Sequence, residues 1–438
     1  MKFNIPIKYI FTGLLLCCLH TAATAQLQCD NDTSFLRSLI DLKTGYYLDF
    51  QGGLYPGGSN EIPYSHKASG MNISRSVLPL NAEGNLDLLD GKAGFICLGA
   101  STAGNAFNHF KTKAEADPTV NPCLRIANCA VGAKGLEIMI DTVVNGWYWD
   151  DDIMPDVEAA GITRYQVQVV WLMVTSRVDS ILTWPYQPYA VTDKYEQLMP
   201  ILLAKFPNLK EVFLSGFNYG GYADPTKEFY EMIKEPSSYW NNWSVKFLIE
   251  KQIEGDPDLK FTSPDRKSPW LAWGPHLWAD GMRANTTDGL RWNCEVDYKP
   301  DGGGYHMSNE GKDKEGKIIF DFFKNSPIAA DWFNYGARWV SCDPEMRMNQ
   351  TDITKNQLSV YPNPANQNMI LELVNTESET VHIQLFNALG VAVATQSETA
   401  VNNYLYAAID VNQLPNGIYL LQVKTGNAVI VKNVVICH

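Results

Sequence analysis

The hydrophobic pattern changes character once along the 438 residues, and that change divides what the chain can fold into. From residue 93 onward, short apolar runs at 93–98, 124–127, 165–174, 209–214 and 270–273 alternate with stretches such as 193–206 and 243–253, where apolar residues recur at helical spacing. A continuous apolar run suits a strand buried on both faces. The alternation therefore predicts an α/β domain with a mostly parallel sheet covered by helices on each side. Residues 341–356 follow neither period, are polar and carry Pro344, which reads as a linker. Beyond it come seven short runs, at 358–361, 369–374, 381–386, 391–395, 405–409, 417–423 and 428–436, broken by turn residues such as Asn412 and Asn416-Gly417. Seven strands with no helical period predict an Ig-like β-sandwich over 357–438.

The N-terminus carries Lys2 and Lys8, an apolar run over 9–19 and then Thr21-Ala22-Ala23-Thr24-Ala25-Gln26. A charged start, a core too short to span a bilayer and small residues at the break describe a signal peptide over 1–25, leaving 26–340 as the large domain. No later run reaches ~18 apolar residues, so no membrane span is expected in the mature chain. The net charge of −13 and a pI near 5.0 repel phosphate backbones and anionic lipid, and no Lys/Arg cluster interrupts that field; nucleic acid is excluded as a partner. Seven cysteines remain after Cys17 and Cys18 leave with the signal. Export permits disulfides among them, and the odd number leaves at least one thiol free in a monomer. No cysteine or histidine spacing fits a metal site, so neither metal nor cofactor is expected.

Chemistry concentrates in two places. The run at 93–98 leads into Gly99-Ala100-Ser101 and then a helical pattern, so Ser101 stands on a strand-to-helix turn with its hydroxyl at the carboxyl edge of the sheet. A serine there is either a nucleophile or a helix cap. A nucleophile needs a base, and His306 lies in Asp301-Gly302-Gly303-Gly304-Tyr305-His306, just before a helical pattern that ends near Phe323. A glycine-rich loop can bring aspartate and histidine to the same sheet edge, with the carboxylate holding the imidazole tautomer. The three glycines are no phosphate cradle, since no P-loop lysine follows. Asp150-Asp151-Asp152 reads as a solvated turn without calcium-loop spacing.

Two resemblances add to this reading. Val360-Tyr361-Pro362-Asn363-Pro364, Leu385-Phe386-Asn387-Ala388-Leu389-Gly390 and Leu414-Pro415-Asn416-Gly417-Ile418-Tyr419 resemble, in order, the motifs of the type A sorting domain of the type IX secretion system of Bacteroidetes. That resemblance implies the type IX machinery as partner and delivery to the cell surface or outside the cell. The large domain is similar to the SGNH hydrolases, flavodoxin-like three-layer serine esterases of GDSL type. Gly99-Ala100-Ser101 stands where they carry Gly-Asp-Ser, Asn128-Cys129-Ala130-Val131-Gly132 resembles the glycine block, Ser215-Gly216-Phe217-Asn218 the asparagine block, and His306-Met307-Ser308-Asn309-Glu310-Gly311 the closing block.

The resemblance implies Ser101 as nucleophile and His306 as general base, with an oxyanion hole from the N–H groups of Ser101 and Gly132 and the amide of Asn218. The family's aspartate stands three residues before its histidine, where this chain has Gly303; Asp301 is the first candidate and Asp297 the reserve. The expected function is secreted ester hydrolysis, with acylated polysaccharide as substrate by analogy. The rival expectation is a surface carbohydrate-binding or adhesion protein on the same fold. Tyr219-Gly220-Gly221-Tyr222 and Trp273-Gly274-Pro275-His276-Leu277-Trp278 either line a cleft or pack turns.

Overall fold

The computed structural model describes residues 27–438 apart from 28, 30–32, 34, 88–89, 263–264, 301, 336–356, 375–379, 401–403 and 427. The expected signal peptide, the linker and Asp301 lie outside the described residues. Five parallel strands form the central sheet: β1 (Ala93–Gly99), β2 (Leu124–Asn128), β3 (Val167–Met173), β4 (Glu211–Leu214) and β5 (Trp270–Trp273), in the order β2-β1-β3-β4-β5. This is the doubly wound order 2-1-3-4-5, whose crevice opens beyond the carboxyl ends of the strands where the winding reverses, between β1 and β3.

Alternation along the strands builds two cores from one sheet. Ile96, Leu98, Val170, Leu172, Val212 and Leu214 face helices α3 (Tyr186–Lys205) and α4 (Ser237–Glu254), which contribute Tyr195, Leu198, Leu202, Trp243 and Leu248. Phe95, Cys97, Val169, Trp171 and Phe213 face α2 (Ser101–Ala116) and α5 (Asn309–Asn325) through Phe107, Phe110, Ile319 and Phe323. Each such side chain stabilises the fold by about 1.5–3 kcal/mol on burial, so both strand faces oppose exposure and the three layers follow. Helix α1 (Tyr64–Arg75) lies against β5, with Trp270 over Gly70. A disulfide, Cys29–Cys294, joins residues 265 apart and ties the start of the domain to the segment before His306. In the chain-entropy picture a loop of that length is worth on the order of 5 kcal/mol.

Asp150, Asp151 and Asp152 lie on a π-helical segment, Tyr148–Ile153, instead of the expected turn; Tyr148, Trp149 and Ile153 turn inward while Asp150 and Asp151 face solvent.

The C-terminal part is all β. Strands β6 (Gln357–Tyr361), β7 (Asn368–Val374), β8 (Thr380–Phe386), β9 (Ala392–Thr399), β10 (Tyr404–Asp410), β11 (Gly417–Thr425) and β12 (Ala428–Ile436) form two antiparallel sheets, ordered β9-β8-β11-β12 and β10-β7-β6. Leu371, Leu373, Leu385, Ile409, Leu421 and Val423 make a core of their own. No described helix is long and apolar enough to cross a membrane.

Candidate active site

Strand β1 ends in Gly99, and only glycine serves there: its φ is +155°, and a Cβ would lie 2.2 Å from the Met173 carbonyl oxygen of β3. The chain then turns through Ala100 into α2, and Ser101 is the first helical residue. Ala100 occupies the cap position without a side-chain bond, so Ser101 is not the helix cap. Its N–H, like every first-turn donor, has no partner inside the helix. Its Oγ lies 2.9 Å from His306 Nε2.

His306 comes to this edge on a tight turn. Lys299 N–H donates to His306 O at 3.0 Å and His306 N–H to Gly302 O at 3.2 Å, while Ser308 Oγ accepts from Gly311 N–H and so caps α5. Burial lowers the His306 pKa, and Lys299 and Lys312 lower it further, so the ring is neutral at pH 7. A neutral imidazole can accept the Ser101 proton.

The loop after β2 supplies Gly132. Val131 N–H donates to Gly99 O at 2.9 Å, which holds the loop beside the Ser101 turn, and Ala133 follows with φ +59°. A non-glycine residue there costs of order 1 kcal/mol, a strain of the kind that collects at functional sites. The loop after β4 supplies Asn218, and buried polar groups pin it from behind. Phe217 N–H donates to Asn241 Oδ1, Asn242 Nδ2 to Phe217 O, and Gly220 N–H to Glu235 Oε1. Asn218 Nδ2 donates to Glu315 Oε1 at 2.6 Å.

Ser101, Gly132, Asn218 and His306 therefore border one cavity of about 220 Å³, whose other walls include Phe217, Phe229, Met232 and Ile233. A larger groove of about 650 Å³, around Lys111, Asp117 and Arg125, contains none of these four. Asp301 lies outside the described residues. Asp297 is buried, but its Oδ2 accepts from Asn293 N–H at 2.7 Å and Lys314 Nζ at 3.0 Å. Among the described residues no hydrogen bond joins a carboxylate to His306 Nδ1.

The aromatic segments divide. Tyr219 borders the cavity, whereas Tyr222 Oη donates to Trp292 O and Trp278 Nε1 to Glu235, both inside the core. Among the described residues, Glu196, Asp256 and Asp258 lie close enough to share a cation, but Lys251 and Lys267 pair with them and none borders the cavity.

Two carboxyls beside the site, Glu315 buried and Glu235 half-buried, escape a reading of motifs. Glu315 sits on the inward stripe Gly311, Glu315, Ile319, Phe323 of α5, and a charged residue on an otherwise apolar i, i+4 stripe was the available signal. Burial pushes its pKa up to about 8 against the opposing Asn218 bond, and pushes Glu235 to about 7 against three N–H donors.

Residues 359–437 match the family of secretion system C-terminal sorting domains. The protein is exported through the type IX secretion system to the cell surface or beyond it. No curated protein matches the chain. Among solved structures, dimeric latent PorU from Porphyromonas gingivalis is similar at 16% identity and a TM-score of 0.16, over 19% of this chain and 10% of that one. A gut microbial diltiazem-metabolizing enzyme is similar at 9% identity and a TM-score of 0.27, over 76% and 75% of the two chains. An endo-beta-1,4-mannanase from Thermotoga petrophila is similar at 11% identity and a TM-score of 0.16, over 70% and 73%. Likenesses at these scores carry no inference about the activity of this chain.

Proposed function

We propose that the exported protein is a serine esterase of SGNH type. The observation that carries this reading is the 2.9 Å contact between Ser101 Oγ and His306 Nε2 at the carboxyl edge of a 2-1-3-4-5 sheet, beside a cavity. Ser101 attacks the ester carbonyl as its proton passes to His306 Nε2. The N–H groups of Ser101 and Gly132 and the Asn218 amide receive the charge on the carbonyl oxygen, and His306 returns the proton to the departing alcohol. Water, activated by the same imidazole, then releases the acid from Ser101. The walls formed by Phe217, Phe229, Met232 and Ile233 suit an apolar acyl group, and acyl esters of carbohydrates are the proposed substrates of an exported enzyme of this kind.

Turnover of a series of p-nitrophenyl esters by the purified full-length chain tests the reading. Ser101→Ala and His306→Ala should each lower kcat on the order of 10⁴-fold or more, and the double variant should be scarcely worse than either, since the two act as one unit. Circular dichroism provides the folding control. Wild-type turnover in folded Ser101→Ala ends the proposal, and a native chain inert on every ester favours glycan binding without cleavage.

A further inference from the structure

Asn218 reaches the cavity with a side chain that can turn either its nitrogen or its oxygen toward a substrate, and only the nitrogen can stabilise an oxyanion. Oxygen in that position would repel the developing charge. Behind the amide stands Glu315, only 1% exposed, whose Oε1 accepts from Asn218 Nδ2 at 2.6 Å. Helix α5 carries this carboxyl, and the same helix is capped by Ser308, two residues after His306. One rigid element thus serves the base and the oxyanion donor together. We propose that Glu315 is a positioning residue that fixes the Asn218 amide with one N–H on its own carboxyl and the other directed to the substrate oxygen.

This role rests on the esterase reading and is more specific than it. A neutral buried acid is the form suited to the task, because a full negative charge one hydrogen bond behind the amide would oppose the oxyanion. The elevated pKa keeps Glu315 neutral at pH 7, with Asp297 raising it and Lys312 and Lys314 lowering it less than burial does. Tyr298, also buried beside it, stays protonated throughout.

The test is steady-state kinetics on one p-nitrophenyl ester that the native full-length chain hydrolyses through Ser101. Asn218→Ala should lower kcat by about 10²-fold to 10³-fold with KM unchanged, as removal of an oxyanion donor does. Glu315→Leu should lower kcat at least tenfold with KM within twofold, and combining it with Asn218→Ala should add nothing beyond Asn218→Ala alone, because the two act through one donor. Glu315→Gln, which keeps an acceptor for Asn218, should restore kcat to within threefold of native.

Multiplicative losses in the double variant, a loss confined to KM, or a Glu315→Gln value as low as Glu315→Leu would overturn the role. If Glu315→Leu does not fold, the pH profile decides. Native kcat should fall as pH rises through about 8 and the carboxyl ionises, and Glu315→Gln should stay flat; coincident profiles overturn the proposal. Ser101-dependent turnover that is indifferent to Glu315 rejects the positioning role alone. Absence of Ser101-dependent turnover rejects the esterase reading and this role with it.

Discussion

Replacing Gly304 by alanine is the sharpest probe of how the loop before His306 is built. Gly304 has φ +73°, and a Cβ there would lie 1.7 Å from the Tyr222 carbonyl oxygen. A left-handed backbone costs a non-glycine residue about 1–2 kcal/mol. The contact must also open from 1.7 Å to at least 3.0 Å, a shift of 1.3 Å forced on backbone that is itself held by Asp224 N–H donating to Gly303 O at 2.9 Å. Forced overpacking of this kind adds about 1–3 kcal/mol, so a total of roughly 2–5 kcal/mol is expected. His306 lies two residues on and would move with the loop, and a misplacement near 1 Å is worth about 10²-fold in rate. Denaturant unfolding read together with kcat measures both effects. Gly146→Ala is the control, since nothing lies within 4 Å of a Cβ built there. A Gly304→Ala chain that unfolds at the same denaturant concentration as Gly146→Ala, with undiminished turnover, would refute the reasoning.

Two further outcomes follow from the same structure. His306 acts as a base only when neutral, and its pKa is lowered by burial and then by Lys299 and Lys312; kcat/KM should therefore hold as pH falls to 6.5 and be lost only below it, with the limb moving upward in Lys299→Gln/Lys312→Gln, and a limb at or above 6.5 in the native chain contradicts this. Removal of residues 357–438 should leave the large domain inside the cell envelope, checked by surface proteolysis and fractionation, because the sorting-domain match and its separate β core lie there; normal surface delivery of the shortened chain refutes it.

Legibility in the sequence followed burial. All five parallel strands could be read because four of them are buried along their whole length and are mostly apolar, as in Ala93–Gly99 and Val167–Met173, while the edge strand Leu124–Asn128 keeps Leu124, Ile126 and Ala127 buried beside a half-buried Arg125. Helix α1 could not, since it buries His66, Gly70 and Ser74 and so shows no apolar period; small residues let Trp270 lie against it instead. The π-helical turn at Tyr148–Ile153 depends on which side chains of Tyr148-Trp149-Asp150 turn inward, a tertiary matter invisible in a run of acids. In the candidate site, Ser101 and His306, which lie 2.9 Å apart, could be picked out because few residue types can serve as nucleophile and base and the flanking glycines mark sharp turns. Glu315 and Glu235 were not, because a glutamate in a helical stretch, or in a turn before a proline, ordinarily reads as solvated surface.

The placement of these groups follows from the winding of the sheet and from what lies behind its loops. Where the order reverses between β1 and β3, the crossovers leave toward opposite faces of the sheet, so the turn at Ser101 and the loop at Gly132 border a cavity instead of a neighbouring crossover. A loop in such an opening has no ladder to fix it, yet an oxyanion donor must be held to a fraction of an ångström. The segment around Asn218, the oxyanion donor proposed above, is held instead by polar side chains: Asn241 and Asn242 of α4 on its backbone, Glu235 from the turn before α4 on Gly220, and Glu315 of α5 on the Asn218 amide. Burying each carboxyl is costly, and an apolar residue of equal volume would stabilise the fold at least as well. Such groups fix one geometry where apolar packing would accept several, which is why their concentration behind a single loop marks that loop as the place where precision matters.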